Sequence, residues 1–228
     1  MDYFEEKTHY IPNIELDRKP LTKDIDYPKG FQLSLTDEEL YTDIDEILTY
    51  EQLTCIIIEF SNIPVREDVL RKLEKIKTLI QLKLSFMFSN ITKIPEAIFS
   101  LNSLKVLHIS NIEMTELQSE IGNLTNLETL TVIQTNIKTI PVSISKLTKL
   151  VTLELEINDI THLPSSIGEL NNLRILCLHN NKLVSLPESM ENLLNLEELD
   201  LQSNPTLASG PSFIEDLRKN GSLRSLSF

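Results

Sequence analysis

The sequence predicts an α/β solenoid: a right-handed curved superhelix with a parallel β-sheet on its concave face and short helical, 3-10 or irregular segments on its convex side. The first observation is a recurring leucine, which opens successive units at positions 53, 79, 104, 127, 150, 173, 196 and 223. The second is the spacing of these leucines, which is 26 and 25 residues, then 23 four times, then 27. One coil of this length cannot bury its apolar side alone, so we expect the coils to stack around a continuous core.

Each position in the unit has a physical role. Apolar residues at positions 1, 4 and 6 point into the core, as in Leu150, Leu153 and Leu155, and alternation leaves positions 3, 5 and 7 on the outer side of a short strand. Position 9 is often asparagine, which can hydrogen-bond the neighbouring backbone and hold the turn after the strand. Leu or Ile followed by proline begins the return segment, where proline fixes φ and no amide donor is needed.

Residues 53–228 resemble the leucine-rich-repeat family in its 23-residue Leu-Pro class, and residues 104–204 match it best. Similar arrays occur in bacterial repeat proteins and in eukaryotic Ras-group scaffolds. The resemblance implies a curved solenoid and protein recognition as its usual role. It carries no catalytic residue over to this chain.

The repeat domain is predicted to hold seven repeats and a terminal half-repeat, with several irregularities. Residues 66–77 and 211–219 each favour a helix, residues 85–88 favour a bulged loop, and Gln118 stands where proline is expected.

Residues 31–52 are predicted to be an N-terminal cap of a strand plus a helix. Thr36 and Glu39 form a capping-box signal there, and the apolar helix residues expected inside are Leu40, Ile44, Ile47 and Leu48. Residues 1–30 are expected to be an irregular, partly ordered arm.

Composition restricts the function. A formal net charge of −13 disfavours nucleic acid and anionic membranes as partners. With only five glycines, a phosphate-binding loop is disfavoured, and we expect no cofactor.

Cys55 and Cys177 fall five coils apart, about 25 Å at about 4.8 Å per strand, which is too far for a disulfide. Free thiols and the absence of a secretory signal in the first residues favour the cytoplasm; secretion is the alternative if a native signal precedes the printed sequence.

The outward strand positions are the candidate binding surface. On them, and on positions 2 and 8, the first three units carry one acidic and two basic residues, whereas the next four carry six acidic residues and one arginine. This asymmetry favours a partner protein, a basic one if charge steers it. The expected binding residues are Ile133, Glu154, Glu156, Ile157, Cys177, His179, Glu198, Asp200 and Phe86.

Three alternatives stay open. Phe60 and Phe86 are either exposed anchors or are packed beneath the cap or the bulge. Cys177, His179 and the neighbouring acids can be drawn as an open-face metal site or the site of a hydrolase or effector enzyme, although no glycine-rich turn or pocket-forming insert accompanies them. The chain can also self-associate as a homodimer through the C-terminal edge of its sheet.

Overall fold

A computed structural model describes residues 31–87, 89–207, 213–219 and 223–227. The predicted N-terminal arm, residues 1–30, lies outside the described residues. The described part of the chain contains nine strands in one parallel sheet, which are neighbours in chain order. They are β1 (Phe31–Thr36), β2 (Leu53–Glu59), β3 (Gln81–Ser85), β4 (Val106–Ser110), β5 (Thr129–Ile133), β6 (Thr152–Glu154), β7 (Ile175–Cys177), β8 (Glu198–Asp200) and β9 (Ser225–Ser227).

The opposite side of each coil is short and mostly 3-10 helical. The α-helices are α1 (Asp37–Ile47), α2 (Glu67–Leu70) and α3 (Phe213–Lys219). The 3-10 segments are Arg71–Lys75, Glu96–Ser100, Ser119–Asn123, Val142–Lys146, Ser165–Glu169 and Glu188–Asn192. The prediction of one helix over residues 66–77 is wrong, because only α2 is α-helical and the chain then tightens into a 3-10 segment. A 3-10 turn rises about 2.0 Å per residue, so it spans the coil with fewer residues than an α-helix.

The core is the leucine column that the repeat predicts. Leu150, Leu153 and Leu155 are all fully buried, as are the corresponding residues of the neighbouring coils. Burying one such side chain contributes about 1.5–3 kcal/mol relative to leaving it exposed. Stacking identical apolar positions therefore stabilises each coil mainly through its two neighbours.

The predicted asparagine role at position 9 is confirmed. The buried Asn158 amide donates to the carbonyls of Val132 at 2.8 Å and Leu155 at 3.0 Å, and its oxygen accepts from the Thr135 hydroxyl at 2.7 Å. Asn181 and Asn204 also donate to the strand carbonyls of their own and the preceding coil. These bonds satisfy polar backbone groups that would otherwise be buried without partners, and they hold the register between coils.

The segment predicted as the cap supplies β1 and α1. Thr36 and Glu39 form the predicted capping box, in which the Thr36 hydroxyl accepts from the Glu39 backbone N–H at 3.2 Å and the Glu39 carboxylate accepts from Thr36 N–H at 2.7 Å. The α1 residues expected inside are buried, except Leu48, which is partly buried after the helix ends. Asp37 was not predicted inside, but it is fully buried and accepts hydrogen bonds from the backbone and hydroxyl of Ser61. Because β1 pairs with β2, this segment extends the sheet.

Candidate functional site

The strand register brings the predicted acidic residues together on the concave face. Glu154 on β6 lies opposite Cys177 on β7, and Cys177 lies opposite Asp200 on β8. Residues two apart in a strand share a face, so the same side carries the acids at the neighbouring positions. We call these four carboxylates the acidic patch: Glu154, Glu156, Glu198 and Asp200.

His179 lies between two carboxylates of the acidic patch. Its Nδ1 is 3.2 Å from Glu156 Oε1 and 3.9 Å from Asp200 Oδ2. The His179 side chain is 29% exposed and the two carboxylate side chains are 20% and 26% exposed, so solvent only partly screens these charges. The imidazole is thus placed to pair with either acid when it is protonated.

Neighbouring polar groups orient two members of the acidic patch, Glu154 and Asp200. Glu154 Oε2 accepts from the hydroxyl of the buried Thr131 at 2.8 Å. Asp200 Oδ1 accepts from the backbone N–H of Gln202 at 3.0 Å. Glu198 is half-buried and forms no ion pair with any residue that the structure describes. The sequence pattern does not reveal Thr131 as a supporting residue, because a threonine on an outward strand position is unremarkable.

Two further acids that the sequence places on this face are already paired with basic side chains. Glu128 pairs with Lys105 at 2.8 Å, and Glu197 pairs with Arg174 at 2.5 Å and with Arg224 at 3.6 Å. The negative charge of the concave face is therefore concentrated on the acidic patch rather than spread over all six acids.

The N-terminal half of the concave face is less acidic and carries Glu59 against Lys83 and Lys105. Lys83 on β3 lies opposite His108 on β4. Burial of the ring, reinforced by the nearby positive charge of Lys83, lowers the pKa of His108 from 6.5 to about 4. Near neutral pH, His108 is therefore neutral, and Lys83 carries the positive charge of this pair.

Ile133 and Ile157 border the acidic patch with apolar surface. Ile133 is half-buried, and Ile157 is 40% exposed. Ile157 has φ of 54°, in the left-handed region, where a β-branched residue is strained. Asn111, Gln134, Asn180 and Ser203 hold the corresponding position after other strands with φ of 54–59°.

Phe86 is a correction to the predicted binding residues. It is 1% exposed and stacks on Phe60, which is also 1% exposed, with ring centroids 4.6 Å apart and ring planes 1° apart. The backbone hydrogen bonds between neighbouring strands continue through both residues. Phe60 N–H donates to the Ser85 carbonyl at 2.8 Å, and Phe86 N–H donates to the Ser110 carbonyl at 3.0 Å. The two rings therefore extend the core, and Phe86 presents no side chain to a partner. Beside them, Met87 is 61% exposed.

Cys177 is unsuited to nucleophilic chemistry. Burial raises the pKa of its thiol far above the ordinary value, and Glu156, Glu154, Glu198 and Asp200 raise it further because they disfavour a second negative charge. The thiol rather than the reactive thiolate is thus the form present near neutral pH. Cys55 and Cys177 are both free, as their spacing predicts.

Among the residues of the described part of the chain, no three His, Cys, Asp or Glu side chains form a group that could hold a metal ion. None of the helices in the described ranges has the length and apolar character to cross a membrane.

Comparisons with known proteins point to one fold family. Residues 119–228 match the family model described as a leucine-rich repeat region. A comparison with curated proteins finds no significant match.

Solved structures extend this likeness to most of the chain. A leucine-rich-repeat protein of Leptospira interrogans shares 24% identity at a TM-score of 0.59, over 81% of this chain and 57% of that one. The structure of the TLR13–ssRNA13 complex shares 26% sequence identity with this chain at a TM-score of 0.61. The match covers 85% of this chain and 26% of that one. The Arabidopsis receptor kinase HAESA, solved with the peptide hormone IDA and the co-receptor SERK1, shares 25% sequence identity at a TM-score of 0.54. The match covers 75% of this chain and 32% of that one.

These proteins are all longer than the part that this chain matches, and the shared feature is the stacked coil. The coil architecture described above is the same on both sides of residue 119, where the family match begins. This chain has the fold of leucine-rich-repeat proteins, and its residues 119–228 match that family's model.

Proposed function

We propose that this protein is a non-catalytic binding module that holds a partner protein on its concave face, through a basic segment seated on the acidic patch. One observation carries the proposal: four half-buried carboxylates lie on the coils of β6 and β8, to either side of β7, and are bordered by the exposed side chain of Ile157. Opposite charges across an interface steer encounter and select the partner, and apolar contact adds affinity.

The shape of the sheet supports this function. Nine strands at about 4.8 Å give an inner face about 38 Å long, which is enough for an interface of ordinary size. A sheet held by a continuous core is already ordered, so docking on it loses little conformational entropy. HAESA, which has the same fold, was solved with a peptide hormone.

A partner protein is favoured over nucleic acid and over a membrane surface. TLR13 was solved with a single-stranded RNA, so the fold itself is compatible with such a ligand. Here the concave face concentrates negative charge, which repels phosphate groups, and the whole chain carries a formal charge of −13. No cofactor is part of the proposal. The two free thiols support a reducing compartment such as the cytoplasm.

An enzyme built on Cys177 and His179 is the less favoured alternative. The thiol is protonated, lies on an open sheet face and is surrounded by carboxylates that disfavour its ionisation. Nucleophilic catalysis needs the reverse, a positive or basic neighbour that stabilises the thiolate. We therefore assign Cys177 to the contact surface.

The experiment that tests the function is a quantitative pull-down from native lysate. It compares the wild type, the Glu154→Arg/Asp200→Arg variant and a matched double charge reversal on the convex side, Glu120→Arg/Glu169→Arg, whose residues are exposed. We expect a protein that the wild type and the convex variant capture and the concave variant loses, with affinity that falls as salt rises. Circular dichroism and thermal melting check that all three are folded. Equal capture by the concave variant would exclude the acidic patch as the binding surface.

A further inference from the structure

We propose that His179 is a built-in competitor of the partner's cationic side chain, so that protonation of its ring weakens binding of a basic segment at acidic pH. This inference rests on the proposed function, because it concerns the same acidic patch. It adds a regulatory role for one residue that neither the fold nor the family supplies.

The geometry places the ring where a partner's cation would bind. Its Nδ1 is within 4 Å of carboxylate oxygens of both Glu156 and Asp200, on the coils to either side. No lysine or arginine in the described ranges forms an ion pair with these two carboxylates. Arg174, in the same repeat as His179, pairs with Glu197 instead. Among the described residues, the imidazole is therefore the cationic group placed to neutralise Glu156 and Asp200.

The other charged and titratable groups facing the ring determine the sign of the effect. On the concave face of the described ranges they are the four carboxylates of the acidic patch, from the coils of β6 and β8, and the Cys177 thiol on β7. All can be negative or neutral and none can be positive. A neutral ring leaves the four carboxylates to the partner, whereas a protonated ring cancels one of their charges.

Imidazole is the side chain whose ordinary titration range falls between pH 5 and 8. Protonation gives an imidazole a positive charge, so a protonated ring between Glu156 and Asp200 opposes the approach of a partner's cation. The proton and the partner's cation compete for the same carboxylates, and by linkage the binding of one disfavours the other. Basic segments should thus bind more weakly at pH 5.5 than at pH 7.5.

The test uses a fluorescein-labelled octa-arginine peptide as the probe, with binding followed by fluorescence anisotropy at constant, low ionic strength. For the wild type we expect the Kd to rise about fivefold from pH 7.5 to pH 5.5, the effect of one charge a few ångströms away in a partly hydrated site. His179→Gln should change less than about twofold over the same range. His179→Lys should bind weakly at both pH values, since its charge is permanent.

A matched control is His162→Gln, because His162 is exposed on the flank of the preceding coil and contacts Thr161 rather than the acidic patch. This variant should keep the pH dependence of the wild type. If His179→Gln also keeps that dependence, His179 is not the competitor, while the binding function of the acidic patch stands. If the probe does not bind the wild type at pH 7.5, or binds Glu154→Arg/Asp200→Arg equally well, both the proposed function and this inference are wrong.

A second measurement needs no ligand. A double-mutant cycle of His179→Gln and Glu156→Gln, read by urea unfolding, isolates the coupling between the two side chains. We expect a clear coupling at pH 5.5 that shrinks at pH 8, because only the protonated ring attracts the carboxylate strongly. The same coupling at both pH values would contradict the proposed charge competition.

Discussion

The side chain of Gln118 hydrogen-bonds both the N–H and the carbonyl of Ile94 in the preceding coil. Gln118 Oε1 accepts from Ile94 N–H at 2.7 Å, and Gln118 Nε2 donates to the Ile94 carbonyl at 3.2 Å. Three later coils have proline at this position, and the backbone of Gln118 (φ −62°, ψ 140°) is close to that of Pro141 (φ −72°, ψ 150°). The glutamine therefore replaces a rigid residue with two hydrogen bonds between coils.

Gln118→Pro should keep the backbone and remove both bonds. We expect a loss of about 1–3 kcal/mol in the free energy of unfolding, because the Ile94 peptide groups lose their partner. Proline also lowers the conformational entropy of the unfolded chain, which should offset about 0.4–1 kcal/mol of that loss. Gln118→Ala lacks that compensation and should be the less stable of the two in urea unfolding. A Gln118→Pro variant more stable than wild type would show that the two bonds contribute less than proline's rigidity.

Glycine at two convex positions is required by close packing between coils. A Cβ on Gly168 would lie 2.1 Å from the Ser189 carbonyl oxygen, and one on Gly122 would lie 2.7 Å from that of Ser143. We expect Gly168→Ala to destabilise the protein by about 1–3 kcal/mol and Gly122→Ala by less, because backbone must move in both cases. Ser145→Ala, at the same position of the coil between them, should stay within about 0.5 kcal/mol. Thermal unfolding of the three variants checks this order. A larger loss of stability for Ser145→Ala than for Gly168→Ala would contradict the explanation.

Ile157 is held in a conformation that suits asparagine better. Replacing it with asparagine should relieve strain of about 1–2 kcal/mol, partly offset by lost apolar contact, for a net gain of about 0.5–1 kcal/mol in unfolding free energy. The mirror control is Asn180→Ile in the next coil, where φ is also 54°. That variant should be destabilised. If Ile157→Asn is less stable than wild type, the contacts of its side chain outweigh the backbone strain.

His108 should make stability depend on pH. Its pKa is lowered to about 4 in the folded protein, whereas an unfolded histidine titrates near 6.5. The unfolded chain therefore binds more protons between these values, so this contribution is fully present above pH 6.5 and is lost as the pH falls toward 4.

We expect the difference in unfolding free energy between the wild type and His108→Gln to fall by about 1–3 kcal/mol from pH 7 to pH 4.5. Comparing the two proteins removes the shared contribution of the carboxylates. Parallel stability curves over this range would contradict a neutral, buried ring.

Much of the fold could be predicted from the periodicity of this chain. The leucine spacing predicts the stacked coils, the alternation predicts which strand residues face outward, and Thr36 with Glu39 predicts the start of α1. These features are confirmed because they depend on interactions within one coil or between identical positions of adjacent coils. The membership of the acidic patch follows from the same register, although its role in binding stays a prediction.

The contacts between unlike positions could not be predicted in this way. The repeat leaves Phe86 either exposed or packed inward, and in the structure its ring lies inside, stacked on Phe60 of the preceding coil. The repeat marks Gln118 as an irregularity, and only the fold shows Ile94 within its reach. Periodicity records which side of the coil a residue occupies. Side-chain direction and inter-coil distances depend on how residues 23–26 positions apart are brought together, and that is a property of the packed solenoid.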